Sequence, residues 1–393
     1  MCFSHAEASR PKQEYRQMPA PRQPTVAILQ ESVETYRVRF LDALHQSLRA
    51  SGIEMTLWVH ETGIPDTFRK LPYLKSIPCY GTGRLKWARL PEEASRADLL
   101  IQPQQVRHLS FLACLLWRRA TGRLNAFWGH GRCFDPDFDQ RWSEKAKRWF
   151  STRVDWWFAY NNLSARIIED LGFPKERITS VMNATDTVEL RTRLAEVKAD
   201  GLDHWRHKLG IGPGPVGVFT GRFYVNKRVE FTLEAAIAIR ERIPTFEMIF
   251  IGDGEDRPMV EAAVREHPWI HYPGPLQNAD KVPYWAIADV LINPGVVGLV
   301  INDAMALGLP TITTDYPKHS PEIDYLEDGV NGLVTSPWTE TNPFVDATVD
   351  LLNNPDRLAA MKRAAWTKGD SFSAETMAST FAKGIAAALA SSN

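Results

Sequence analysis

Along the chain, short β-branched apolar runs alternate with stretches whose apolar residues recur at helical spacing. That alternation predicts parallel sheets covered by helices. Thr25–Gln30 is the first strand-like run. Val38–Ala50 places Phe40, Leu41, Leu44 and Leu48 on one helical face, and Gly52 closes it before a strand over Ile53–His60. Strands are predicted at Asp98–Ile101, Leu124–Trp128, Val154–Tyr160 and Ile178–Val181, with a helix over Leu163–Leu171 stopped by Gly172 and Pro174. The pattern then restarts. Strands fall at Val216–Thr220, Phe246–Ile251, Trp269–Tyr272, Asp289–Asn293 and Thr311–Thr314, with helices at Val229–Arg240, Glu255–Glu266 and Leu299–Leu307. The glycine- and proline-rich run Gly210–Pro215 marks the boundary between the halves, and the tail after Pro337 reads as helical.

Composition fits two domains. The chain has 393 residues, 44% hydrophobic and 24% charged, enough for two cores of roughly 180 residues each. A net charge of -1 argues against nucleic acid as the main partner. The longest candidate for an uncharged apolar span, Leu109–Trp117, is about half of what a bilayer span needs, and the polar, proline-rich start lacks a signal-peptide core. Residues 1–23 read as a disordered leader, and the expected location is cytoplasmic. Cys2, Cys79, Cys114 and Cys133 are scattered, with no CxxC and no histidine at ligand spacing, so they read as reduced packing thiols.

Two segments carry candidate chemistry. In Gly221-Arg222-Phe223-Tyr224-Val225-Asn226-Lys227 a strand is expected to end at Thr220 and the chain to turn at Gly221. This puts Arg222 and Lys227 at the carboxyl edge of a sheet, where a diphosphate could be held and its growing charge stabilised. A solvated basic loop is the plain alternative. In Asn293–Pro310 a glycine-containing loop leads into a helix near Gly298, whose free N–H groups suit an anion. Asp303 sits on the first turns of that helix, placed for sugar hydroxyls or merely exposed.

Gly221-Arg222…Lys227, Gly252-Asp253-Gly254, Gly298-Leu299-Val300…Asp303-Ala304-Met305-Ala306…Gly308-Leu309-Pro310 and Pro321-Glu322-Ile323…Asp328-Gly329…Asn331-Gly332 together resemble family 4 of the retaining, GT-B-fold glycosyltransferases. The match covers residues 178–335. The resemblance implies an α/β protein of two Rossmann-like domains facing across a cleft. The acceptor domain would span residues 24–183, the donor domain residues 184–370, and a terminal helix over 371–393 would cross back. It implies that Arg222 and Lys227 hold the donor diphosphate, that backbone at Gly298, Leu299 and Val300 meets the phosphates, and that Asp303 holds the ribose. Gly274, Pro275 and Leu276 would frame the base. The family's first loop glutamate, a contact to the donor sugar, falls here on Gly295. His130, in Phe127-Trp128-Gly129-His130-Gly131, matches a family histidine beside the donor sugar; a packed loop histidine is the alternative. Val181–Asp186 resembles the family's turn at the domain crossover and reads as structural.

The implied reaction is a retaining transfer of a hexose-type sugar from a UDP-, GDP- or dTDP-sugar to a glycan, lipid-linked or small-molecule acceptor, in polysaccharide or glycoconjugate synthesis. No metal or other cofactor is expected, because Arg222 and Lys227 neutralise the phosphates and Asp135-Pro136-Asp137-Phe138-Asp139 reads as a helix cap. A catalytically silent nucleotide-sugar binder, motivated by Gly295, and a GT-B-fold epimerase remain alternatives. No lysine is marked for pyridoxal phosphate, and no GxGxxG follows the first strand. Over residues 141–158, Trp142, Trp149 and Trp156 recur among Lys145, Lys147, Arg148 and Arg153. Two readings are open: a basic helix touching the cytoplasmic face of a membrane, or a helix packed on the sheet with Trp156 beginning the next strand.

Overall fold

The structure is a computed structural model that describes residues 22–81, 86–105, 108–132 and 142–391. Most of the expected leader, Cys2, Cys133 and Asp135–Asp139 lie outside the described residues.

Two parallel sheets form two lobes. The amino lobe contains β1 (Thr25–Gln30), β2 (Glu54–His60), β3 (Leu74–Ile77), β6 (Leu99–Pro103), β7 (Leu124–Gly129), β8 (Trp156–Ala159) and β9 (Ile178–Ser180), in the spatial order β3-β2-β1-β6-β7-β8-β9. A two-stranded hairpin of β4 (Cys79–Tyr80) and β5 (Trp87–Ala88) sits beside it. The carboxyl lobe contains β10 (Val216–Phe223), β11 (Glu247–Gly254), β12 (Ile270–Gly274), β13 (Val290–Ile292), β14 (Thr311–Thr314) and β15 (Gly332–Thr335), ordered β12-β11-β10-β13-β14-β15. In each sheet the order reverses beside the first strand, between β1 and β6 and between β10 and β13. The crevice at such a reversal is where open parallel sheets bind ligands.

The central strands are near-continuous apolar runs because helices cover both faces. Val26–Leu29, Val59, Leu99–Ile101, Val218–Phe219 and Met248–Ile251 are almost fully buried. The long loops and short elements escaped the periodic pattern: β3, the β4–β5 hairpin and β15 were not predicted, and neither were the helices Thr187–Asp200 and Leu202–Leu209. These two helices bury Leu190, Leu194, Val197 and Trp205 against Val216 and Val218. They belong to the carboxyl core, so Gly210–Pro215 is an internal turn of that lobe rather than the boundary expected from composition. The chain passes between lobes after β9, where the Asn183 carbonyl accepts hydrogen bonds from Asn302 (3.2 Å) and Tyr325 (3.1 Å).

The last helix, Ala374–Ala390, packs on the amino lobe. Phe381 stacks on Phe158 at 4.1 Å between ring centres and meets Trp128 edge-on at 5.1 Å. Gly384 permits the approach, since a Cβ there would lie 2.5 Å from the Thr179 hydroxyl. Among the described residues no helix is long and apolar enough to cross a membrane. The tryptophans of the stretch differ in burial. The helix Trp142–Ser151 ends before Trp156, which is buried in β8, while Trp149 stays half exposed beneath Arg153.

Candidate active site

The two carboxyl edges face each other across a cavity of about 490 Å³. The carboxyl lobe contributes Thr220, Gly221, Arg222, Lys227, Gly298, Leu299, Val300 and Asp303; the amino lobe contributes Glu34, Thr35 and Tyr36. Six of the residues singled out in the sequence therefore line one space: Arg222, Lys227, Gly298, Leu299, Val300 and Asp303.

The loop carrying the cations departs from expectation. The chain does not turn at Gly221; β10 runs on to Phe223, with Gly221 opposite Gly252 and Arg222 opposite Asp253. Two glycines make this possible. A Cβ on Gly252 would lie 1.8 Å from the Gly221 carbonyl oxygen, and both residues hold a positive φ open mainly to glycine. The turn comes after Tyr224, in the short 3₁₀ helix Val225–Lys227. Arg222 is thus fixed to a strand while Lys227 returns from the following turn.

Lys227 donates to the Val296 carbonyl at 2.5 Å and has no carboxylate partner among the described residues. Burial without a counter-charge pushes its ammonium down to about 8. Arg222 is exposed and likewise makes no ion pair among the described residues. Two cations without carboxylate partners among the described residues open on one cavity. Beside them, no described group accepts a hydrogen bond from the N–H of Gly298, Leu299 or Val300, the residues leading into the helix Val300–Ala306.

Gly295 does not line the cavity; it sits behind it. A Cβ there would lie 2.3 Å from the Asn226 carbonyl oxygen and 2.7 Å from the Lys227 carbonyl carbon. The Val296 N–H donates to Asn226 at 2.9 Å, and Arg228 reaches the Pro294 carbonyl at 3.3 Å. His319 completes the seam, accepting from the Val297 N–H through Nδ1 (3.0 Å) and donating through Nε2 to Thr314 (2.8 Å). The missing glutamate side chain is therefore a packing requirement of two loops pressed backbone to backbone.

Asp303 differs from the exposed carboxylate that was the plain alternative. It is buried, accepts from the Thr185 hydroxyl at 2.6 Å, and pairs closely with Lys281. Thr185 was read as part of a structural turn and Lys281 lies outside any quoted motif, so neither was singled out as a partner of Asp303 in the sequence. Both line the cavity, as do Asp186, Glu189, Gln277 and Asn278. Gly274, Pro275 and Leu276 do not line it; the neighbouring Gln277 and Asn278 do.

His130 also lies outside the cavity lining, against Tyr160 at 4.0 Å between ring centres. Burial, with the nearby charges of Arg37 and Lys147, pushes it down to about 3, so it is a neutral imidazole at any working pH. Glu322 is buried at the lobe crossover and accepts from the Asn183 amide at 3.0 Å; burial pushes its carboxyl up.

Residues 214–354 match the family described as Glycosyl transferases group 1. The chain carries a group 1 glycosyl transferase domain. That domain contains the strand with Arg222, the turn with Lys227, the Gly295 seam and the helix with Asp303. In sequence, the chain is 27% identical over 168 residues to an alpha-monoglucosyldiacylglycerol synthase of Acholeplasma laidlawii, covering 41% of this chain and 40% of that protein. It is 25% identical over 159 residues to an alpha-D-kanosaminyltransferase of Streptomyces kanamyceticus, covering 38% and 40%. The matched part thus spans about two fifths of the length of these relatives. In structure it is similar to Anabaena HepE in complex with UDP, with a TM-score of 0.69 at 15% identity over 92% of this chain and 99% of that one. The lipopolysaccharide outer core galactosyltransferase WaaB is similar at a TM-score of 0.64 and 15% identity, over 92% and 99%. These likenesses extend over both lobes and establish the GT-B fold around the group 1 domain.

Proposed function

We propose that the protein is a glycosyltransferase of family 4 that moves a hexose-type sugar from a nucleoside-diphosphate sugar to an acceptor with retention at the anomeric carbon. The observation that carries the reading is the pair Arg222 and Lys227, two cations without carboxylate partners among the described residues, opening on one interlobe cavity. A leaving diphosphate gains charge as the glycosidic bond breaks, and cations already in place stabilise it most at the transition state. Lys227 suits this role because its desolvated ammonium gains more from an arriving anion than from water. The N–H groups of Gly298, Leu299 and Val300 donate to phosphate oxygens. Asp303, steadied by Lys281 and Thr185, keeps lone pairs for the ribose hydroxyls. Gln277 and Asn278 take the place beside the base assigned to Gly274, Pro275 and Leu276.

The departing diphosphate takes the acceptor proton, and Arg222 and Lys227 supply the charge neutralisation that needs no metal. His130 lies outside the cavity lining and is neutral, so any part it takes beside the donor sugar is as a hydrogen-bond donor or through its carbonyl and not as a cation. UDP is the first nucleotide to test, given the ligand in the HepE structure. A lipid-linked acceptor is supported by the diacylglycerol named for the Acholeplasma relative and by half-exposed Trp149 among basic residues, which would meet a cytoplasmic membrane face.

Calorimetry with UDP, GDP and dTDP tests the donor site, and NMR of the product anomer tests retention. Nucleotide binding abolished by Lys227→Ala supports the assignment. Nucleotide bound equally by wild type and by the Arg222→Ala/Lys227→Ala double variant would remove its basis. Binding with no hydrolysis or transfer across an acceptor panel would favour the silent binder.

A further inference from the structure

The amino lobe holds a second chemical cluster that the linear spacing of the cysteines conceals. His60 ends β2, Cys79 begins β4, and His108 precedes the helix Leu109–Ala120. The fold brings one ligand atom of each within 4.8 Å of the others. His60 and His108 are buried, their rings 5.0 Å apart, and His108 stacks on Phe111 at 4.6 Å. Cys79 is a free, half-buried thiol whose strand pairs with β5.

The hydrogen bonding of His108 fixes its chemistry. Nε2 makes a close contact with Oε1 of Glu31, just beyond β1, and the other oxygen of that carboxylate lies 3.5 Å from the Lys86 ammonium. A carboxylate only accepts, so the Nε2 proton points at Glu31, and in the neutral ring Nδ1 is then the lone-pair nitrogen. That Nδ1 is fully buried and has no hydrogen-bond partner. A fully buried acceptor left unsatisfied is costly and needs a reason. A carboxylate behind the outer nitrogen of a histidine is the arrangement that orients a metal ligand and raises its basicity.

We propose that His60, Cys79 and His108 form a zinc site, with His108 ligating through Nδ1 and Glu31 acting behind it as a positioning residue. Two imidazoles and one thiolate suit zinc rather than magnesium or calcium, which take oxygen ligands. On binding, the Cys79 thiol releases its proton to solvent and the sulfur bonds the metal, while both imidazoles bind neutral. The fourth position takes water. The metal ties the carboxyl ends of β1 and β2 to the β4–β5 hairpin and to the start of the helix Leu109–Ala120. It is separate from the donor cavity, whose lining contains none of these residues.

The full-length protein is incubated with zinc(II), desalted and assayed for bound metal, and in parallel titrated with cobalt(II). The expected result is one zinc per chain and a thiolate-to-cobalt charge-transfer band with the visible bands of tetrahedral cobalt. Cys79→Ser should lose the charge-transfer band and His108→Asn should lose the metal, while Cys114→Ser keeps both. Glu31→Gln should weaken zinc binding by roughly 10–100-fold. Nucleotide affinity, read from the other lobe, and near-ultraviolet circular dichroism establish that each variant is folded. No retained zinc in the wild type, or retained metal and an unchanged cobalt spectrum in folded Cys79→Ser, overturns the proposal.

Discussion

The two lobes share a topology and differ at their edges. In the carboxyl lobe the edge is built from backbone. Gly221 opposite Gly252, and Gly295 against Asn226 and Lys227, let loops touch main chain to main chain. Arg222 and Lys227 are then left facing the cavity without carboxylate partners among the described residues. In the amino lobe the corresponding edge is built from side chains: Glu31 bonds His108 and Lys86, and His60 and Cys79 close around them. One scaffold can therefore present either an open anion cradle or a cluster of nitrogen and sulfur donors. Loops at the strand ends decide which.

The comparison breaks first at the cations. Lys227→Ala and Arg222→Ala should each lower kcat/KM by at least ~100-fold, the loss expected when a charge-stabilising contact disappears. Steady-state kinetics with the best donor checks this, and near-normal rates in both would separate the cradle from the chemistry. Lys281→Met leaves the Asp303 carboxylate buried without its partner. It should cost about 2 kcal/mol of stability in urea unfolding, below the full cost for a buried pair because the site borders cavity water. Gly295→Ala forces the seam apart and should weaken nucleotide binding about tenfold by displacing Lys227, measured by calorimetry.

Smaller effects sharpen the contrast. Lys227 titrates at about 8 in the unliganded protein, below the ordinary lysine range. Its charged form binds the diphosphate, so nucleotide affinity should hold below pH 8. Above that it should fall by up to about tenfold per pH unit, until the pKa of the complex is reached. Lys227→Arg should flatten that profile. The smallest expected effect is none: adding magnesium or manganese should leave UDP affinity unchanged if Arg222 and Lys227 alone neutralise the diphosphate. A metal-dependent rise in affinity would contradict that reading.

How far the sequence was legible follows from how each feature is encoded. The strands β1, β10 and β14 and the helix Val38–Ala50 start where the apolar pattern placed them, because burial on both faces or along one stripe leaves a periodic record. Arg222, Lys227 and Asp303 were found because each lies within a short contiguous motif. Gly295 was noticed, but its reason was invisible, since the Asn226 carbonyl that excludes a side chain lies far back along the chain. Helix Thr187–Asp200 was missed despite its buried stripe, and the composition break at Gly210–Pro215 lies inside the carboxyl lobe, whereas the resemblance set the domain boundary at residues 183 and 184, beside the crossing near Asn183.

By itself the sequence determined the alternation of strands and helices, the doubling of that pattern into two lobes, and the contiguous residues of the group 1 domain. These are written in local periodicity and short-range spacing. Tertiary structure alone decided that Asp303 meets Lys281 and Thr185, and that His130 is a desolvated, neutral ring against Tyr160. It alone decided that His60, Cys79 and His108 converge beside Glu31. Each of these depends on the carboxyl ends of non-consecutive strands arriving at one edge, and parallel crossovers place such ends side by side whatever their separation along the chain.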